Sequence, residues 1–159
     1  MEITFKEITK ENYLNIIKLD VNKNQTNFVA SNLESLKDYK DAIDRGLKAK
    51  PLGIYLNDKL IGFIMIGFDK LSNTDPNIAS GNYSIWRFMI DKHYQNKGYG
   101  TEALKQIINK IKILPNSKNK YIFLSYEKEN ITARSLYYKL GFRENGEISD
   151  GEIVAVLKL

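Results

Sequence analysis

The sequence predicts a single α+β domain, or one built on a mixed sheet, and three observations carry that prediction. Strand-type and helix-type segments follow one another in the order β-α-α-β-β-β-α-β-α-β-β. Helices separate some strands while others are joined directly as hairpins, which a regular doubly wound sheet does not allow. The 159 residues suit one sizeable core, and no linker, internal repeat or low-complexity tract divides them.

Taken in order, residues 2–8 alternate apolar and polar like a strand. Thr9 is the expected cap of a helix through about Lys18. Residues 20–30 mix polar and apolar side chains without a clear period. Ser31-Asn32-Leu33-Glu34 reads as a capping box, with Glu34 reaching back to the capping residue. The helix it opens carries Leu33, Leu36, Tyr39, Ile43 and Leu47 on one broad face. Residues 52–56 and 60–68 flank Asn57-Asp58-Lys59 and predict a hairpin. Residues 69–81 are rich in Asp, Asn, Ser, Gly and Pro and predict a loop before a strand over 82–90.

From Gly98 to Leu114, Ala103, Leu104, Ile107, Ile108 and Ile111 recur at helical spacing, and Pro115-Asn116-Ser117 ends that helix. Residues 121–126 read as a buried strand. A shorter helix over 131–140 places Ala133, Leu136, Tyr137 and Leu140 together and ends at Gly141. Arg143–Ile148 and Glu152–Leu159 form a closing hairpin across Ser149-Asp150-Gly151.

Composition narrows the function classes. The absence of cysteine excludes disulfides, thiolate nucleophiles and cysteine-held metal. The lone histidine, His93, is expected as an exposed residue of a basic turn, and no metal is expected. A net charge of +5, from 24 Lys+Arg against 19 Asp+Glu, favours anionic partners. It is mild for a nucleic-acid binder and lacks clustered arginines, so no nucleic-acid partner is expected. No apolar run nears the roughly 20 residues of a membrane helix, and no signal-peptide block opens the chain. A cytoplasmic protein without a membrane partner is the expectation.

The most informative segment is Tyr83–Gly100. An apolar strand feeds a basic turn, and Gln95-Asn96-Lys97-Gly98-Tyr99-Gly100 opens the long helix. First-turn N–H groups lack intrahelical partners and carry about half a positive charge, which suits a phosphate. A P-loop is excluded because no Gly-Lys-Ser/Thr follows an earlier glycine at the required gap. A dinucleotide fingerprint is excluded because its first glycine is missing.

The turn matches Gln/Arg-x-x-Gly-x-Gly/Ala at each fixed position. Residues Asn130 to Phe142, with Asn130, Ala133, Leu136, Tyr137, Gly141 and Phe142, look like a second signature in the right order. Together they resemble the GNAT family of N-acetyltransferases across nearly the whole chain. The resemblance implies a mixed, mostly antiparallel sheet of about seven strands, helices on both faces and splayed central strands. It implies acetyl-CoA as cosubstrate, held by Gln95, Asn96, Lys97, Gly98, Tyr99, Gly100, Thr101, Asn130 and Lys139. Phe88, Met89 and Ile90 would line the pantetheine arm, and a backbone N–H near Met89 or Ile90 would polarise the thioester carbonyl.

It further implies Tyr137 as general acid to the departing thiolate, since a phenol with pKa about 10 stays protonated near neutrality. The base stays open among Glu127, Asp91, Glu7, Glu152 and water. Residues 86–100 and Gln25–Ala30 resemble the spermine/spermidine (diamine) branch, which implies a small-molecule polyamine as partner. Glu34, Asp38 and Asp41 form an acidic stripe, and Trp86, Tyr39 and Tyr83 could wall a polycation. Glu34, Trp86, Ser125 and Glu127 are the expected substrate contacts. Another amine (an aminoglycoside, an amino acid or a protein N-terminus), a non-catalytic CoA-binding regulator and a homodimer stay open.

Overall fold

The structure, a computed structural model, describes residues 2–117 and 120–159. Strands β1 (Ile3–Glu7), β2 (Lys48–Leu56), β3 (Lys59–Phe68), β4 (Tyr83–Ile90), β5 (Tyr121–Tyr126), β6 (Arg143–Ser149) and β7 (Glu152–Lys158) form one sheet. Its order is β1-β2-β3-β4-β5-β7-β6. All neighbours run antiparallel except β4 and β5, which are parallel. The sheet is therefore mixed and mostly antiparallel, as expected.

Helices α1 (Tyr13–Lys18) and α2 (Asn32–Asp44) cover one face, and α3 (Tyr99–Lys112) and α4 (Ile131–Lys139) the other. Strand alternation builds both cores. On β3, Phe63 and Met65 pack with Ile16, Leu36 and Tyr39, while Ile64 and Ile66 pack with Leu104, Ile107 and Phe142. Helix α3 buries Ala103, Leu104, Ile107, Ile108 and Ile111, the five positions its periodicity selects. Each fully buried Leu or Ile contributes roughly 1.5–3 kcal/mol, which fixes the helix start against β4.

Three expectations change. The first helix begins at Tyr13, because the Asn12 side chain accepts from the Thr9 N–H at 2.8 Å and folds residues 9–12 into turns. The buried stripe of α2 is Asn32, Ser35 and Ala42, whereas Leu33 and Ile43 are exposed. Its capping box forms as read, with both Ser31 and Glu34 reciprocating. The segment after α1 contains a 3₁₀ turn at Lys23–Gln25, and the predicted loop contains another at Asn77–Ala79.

The feature that positions the site is the failure of β4 and β5 to stay together. They pair only at Tyr83 with Ile122 and Ser84 with Phe123. Between Arg87 and Ile85 the register against β3 slips, leaving Trp86 as the extra residue of a bulge. Beyond Ser84 the two strands diverge, and a gap opens in the middle of the sheet.

Candidate active site

The gap widens into a cleft of about 1810 Å³. Its walls come from the segment between α1 and α2, from β4, from the turn before α3, from β5 and α4, and from the β6–β7 turn.

At one end lies the glycine turn. Asp91 caps the 3₁₀ turn Lys92–Tyr94, accepting from the His93 N–H at 3.0 Å and from the Asp20 N–H at 3.0 Å. Burial pushes the Asp91 carboxyl up, but those donors and the His93 ring outweigh it and hold it below the ordinary aspartate value. His93 itself is exposed, as expected. Gly98 stands at φ +82°, a conformation that favours glycine. Its carbonyl takes the first helical bond, from the Glu102 N–H at 3.1 Å, so α3 begins at this turn. Gly100 lines the cleft, and a Cβ there would make only ordinary contacts, 3.5 Å from Ile90 and 3.6 Å from Phe88.

The Gln95 side chain does something the motif does not reveal. Its Nε2 donates to the Ile90 carbonyl and to Gln25 Oε1, both at 2.9 Å, and its Oε1 accepts from Asn22 Nδ2 at 2.9 Å. It ties the glycine turn to the 3₁₀ turn across the cleft. Asn96, Thr101, Asn130 and Lys139 also stand on the wall. The Asn130 side chain caps α4 by accepting from the Ala133 N–H. Lys97, Tyr99 and Glu127 are not among the wall residues; Lys97 Nζ turns back to the His93 carbonyl at 2.9 Å.

In the gap, Phe88, Met89 and Ile90 line β4. The Asp91 N–H bonds the Ile61 carbonyl on the β3 side. Antiparallel alternation therefore turns the Met89 amide to β3 and leaves the Phe88 and Ile90 amides facing the gap. Across it stand Leu124, Ser125 and Tyr126.

Tyr137 lies under the gap, buried, with its ring centroid 5.7 Å from Tyr126 and 6.0 Å from Phe142. Its hydroxyl has no hydrogen-bond partner among the described residues, yet Tyr137 lines the cleft. Burial, then the charge of Glu152 and the Tyr126 ring, pushes its pKa above the ordinary phenol value. Tyr126 spends its hydroxyl on Glu144 at 2.8 Å, and burial together with that bond pushes it up to about 12. Tyr138 points away and stacks with Arg143.

On the α2 side the predicted acidic stripe is largely committed. Glu34 closes the capping box, and Asp38 Oδ2 accepts from Arg87 Nη2 at 3.1 Å. Trp86 is on the wall, whereas Tyr83 donates to the Pro115 carbonyl and stacks on Phe68, away from it. Sequence reasoning passed over Arg87, which stands on the wall with a buried Nε that has no partner. A charge between Trp86 and Phe88 in an apolar strand is the signal that could have found it. Asn32, Arg45, Asp75 and Asp150 also line the cleft unforeseen.

A family model described as the acetyltransferase (GNAT) family matches residues 15–142. The chain belongs to the GNAT acetyltransferase family. It is 38% identical over 160 residues to a Bacillus subtilis subsp. natto (strain BEST195) protein named "Probable spermine N(1)-acetyltransferase", covering 100% of both. It is 36% identical, with the same coverage, to a Bacillus subtilis (strain 168) protein named spermine/spermidine N(1)-acetyltransferase. Among solved structures, the aminoglycoside acetyltransferase AAC(6')-Ib in complex with coenzyme A aligns with a TM-score of 0.78. That alignment covers 99% of this chain and 95% of the other at 15% identity, and it shows the GNAT fold. As expected of this family, the central strands splay. Among the described residues no group of acids and histidines could hold a metal, and no helix is long and apolar enough to cross a membrane.

Proposed function

We propose that this GNAT acetyltransferase moves an acetyl group from acetyl-CoA to a primary amine of a polyamine such as spermidine or spermine. The observation that carries the reading is the end-to-end similarity to two proteins named as polyamine acetyltransferases. The site's geometry supports it. The turn at Gly98 and Gly100 brings the N-terminus of α3 to the phosphates of coenzyme A, and the gap beside Phe88–Ile90 offers a channel to its thioester arm. Acetyl-CoA supplies the activated acetyl group.

The chain's residues then do the rest. The Ile90 and Phe88 amides are the donors available to the thioester carbonyl oxygen. Tyr137, kept protonated by its burial, gives its proton to the departing thiolate. No covalent enzyme nucleophile is needed. Asp150 and Glu152, wall carboxylates near the β6–β7 turn that no cation pairs with among the described residues, favour a substrate with more than one positive charge despite the net +5.

The test is thiol release from acetyl-CoA across a panel of spermine, spermidine, aminoglycosides, amino acids and peptides. Amine-dependent release is expected with the polyamines. Release only with another class would move the acceptor, and tight CoA binding without release would make the protein a regulator.

A further inference from the structure

Six acids stand on the cleft wall: Asp20, Glu34, Asp38, Asp75, Asp150 and Glu152. Five are committed. Asp20 pairs with Lys92 at 3.2 Å and Asp38 with Arg87 at 3.1 Å. Glu34 closes its capping box, and Asp75 accepts from the Leu71 N–H at 2.6 Å and the Ser72 N–H at 3.0 Å. Asp150 accepts from the Thr74 hydroxyl at 3.3 Å.

Glu152 differs. Its Oε2 accepts from the Ser125 hydroxyl at 2.5 Å, which fixes the side chain across β5 and β7. Its Oε1 has no partner among the described residues, and no Lys, Arg or His pairs with it. Its charge reaches Tyr137 of α4, and Asp150 stands two residues before it in the chain.

Strand alternation decides which side of the gap it serves. On β5, Ile122, Leu124 and Tyr126 join the core under α3 and α4, so Phe123 and Ser125 face the opposite side. On β7, Ala155 joins the α3–α4 core, whereas Val154 packs with Phe123 and Ala79 on the opposite face, so Glu152 also faces the α1–α2 side of the sheet. Tyr137 lies on the α3–α4 side, and the charge of Glu152 still reaches it. A phenol and an unpaired carboxylate thus flank the gap from its two faces. The other carboxylates that the sequence left open are elsewhere: Glu7 pairs with Lys50 at 2.8 Å, Asp91 is filled by amides, and Glu127 is off the wall.

We infer that Glu152, held by Ser125, accepts the proton that the attacking amine loses on the α1–α2 side of the gap. The inference rests on the acetyl-transfer reading above. The ammonium first gives one proton to solvent. The amine nitrogen then forms a bond to the acetyl carbon and the carbon–sulfur bond breaks. The proton left surplus on nitrogen passes to Glu152 Oε1, and the thiolate takes the Tyr137 proton. Glu152 returns its proton to the Tyr137 oxygen through water, so both groups are restored.

The experiment compares Glu152→Gln and Ser125→Ala with wild type. Gln keeps an oxygen for Ser125 and the shape of the side chain. Thiol release with spermidine should fall roughly 10²–10⁴-fold in kcat for Glu152→Gln, with acetyl-CoA affinity unchanged. Ser125→Ala should lose less, roughly tenfold. An acceptor amine of low basicity, already neutral at pH 7 and more acidic once acylated, should show a smaller Glu152→Gln defect. A defect in KM alone, or one equally large for that amine, would overturn the proton-accepting role. Wild-type release reads the parent proposal separately: none with any amine sinks both, whereas wild-type release with an unimpaired Glu152→Gln sinks only this one.

Discussion

Replacing Tyr137 by phenylalanine should separate chemistry from structure. The hydroxyl makes no hydrogen bond to described protein groups, and the ring contacts with Tyr126 and Phe142 at 5.7 and 6.0 Å survive the change. Stability should therefore stay within about 1 kcal/mol of wild type in denaturant melts. Coenzyme A affinity, which the proposed function assigns to the glycine turn, should hold in calorimetry. The thiolate, however, loses its acid. Positioned proton transfer contributes roughly 10²–10⁴-fold, about 2.7–5.4 kcal/mol of barrier, so kcat should fall by that much. The pH profile sharpens the point. Burial raises the Tyr137 pKa, so wild type should show no loss of the acid below about pH 10. A variant within about threefold of wild-type kcat near neutral pH would refute the general-acid role.

Three further outcomes follow from the same geometry. Gly98→Ala forces a side chain to φ +82°, which should cost about 1–2 kcal/mol of stability in a melt, whereas Gly100→Ala should keep stability because its Cβ meets only ordinary contacts; both should weaken coenzyme A binding. Gln95→Ala removes three side-chain hydrogen bonds and should cost roughly 1–3 kcal/mol, with a higher KM for the amine as the Lys23–Gln25 turn loosens. Tyr126, held at about 12 chiefly by burial, and Tyr137 both have folded pKa values above the unfolded value. Their contribution is therefore complete below about pH 10 and is lost as pH rises towards their folded values; chemical melts between neutrality and pH 11 should show stability falling only above about pH 10, and a flat line there would contradict it.

Where local pattern and packing agree, the sequence is easy to read. Helix α3 buries the five residues that its spacing picks out, and β5 runs over Tyr121–Tyr126 as read. The capping box of α2 is equally local, since Ser31 and Glu34 satisfy each other within one turn. The same helix misleads about its buried face. Its inward stripe carries Asn32 and Ser35, two polar residues, and Asn32 earns its place through a bond to the Ile16 carbonyl at 2.9 Å. That partner is remote in sequence, so no periodicity reveals it. The glycine turn was legible because backbone geometry needs glycine there. The role of the Gln95 side chain was not, because it depends on Asn22 and Gln25 meeting it from the far side of the cleft. Arg87 and Glu152 are the same kind of residue: their meaning lies in which neighbours are taken and which are left open.

The most direct test of the account is the identity of the product. The protein is incubated with acetyl-CoA and spermidine, and the polyamine is examined by mass spectrometry while free thiol is counted. Mono-acetylated spermidine is expected in equal amount to the thiol released. Thiol release without an acetylated amine, or an unmodified polyamine beside a fully bound acetyl-CoA, would contradict it.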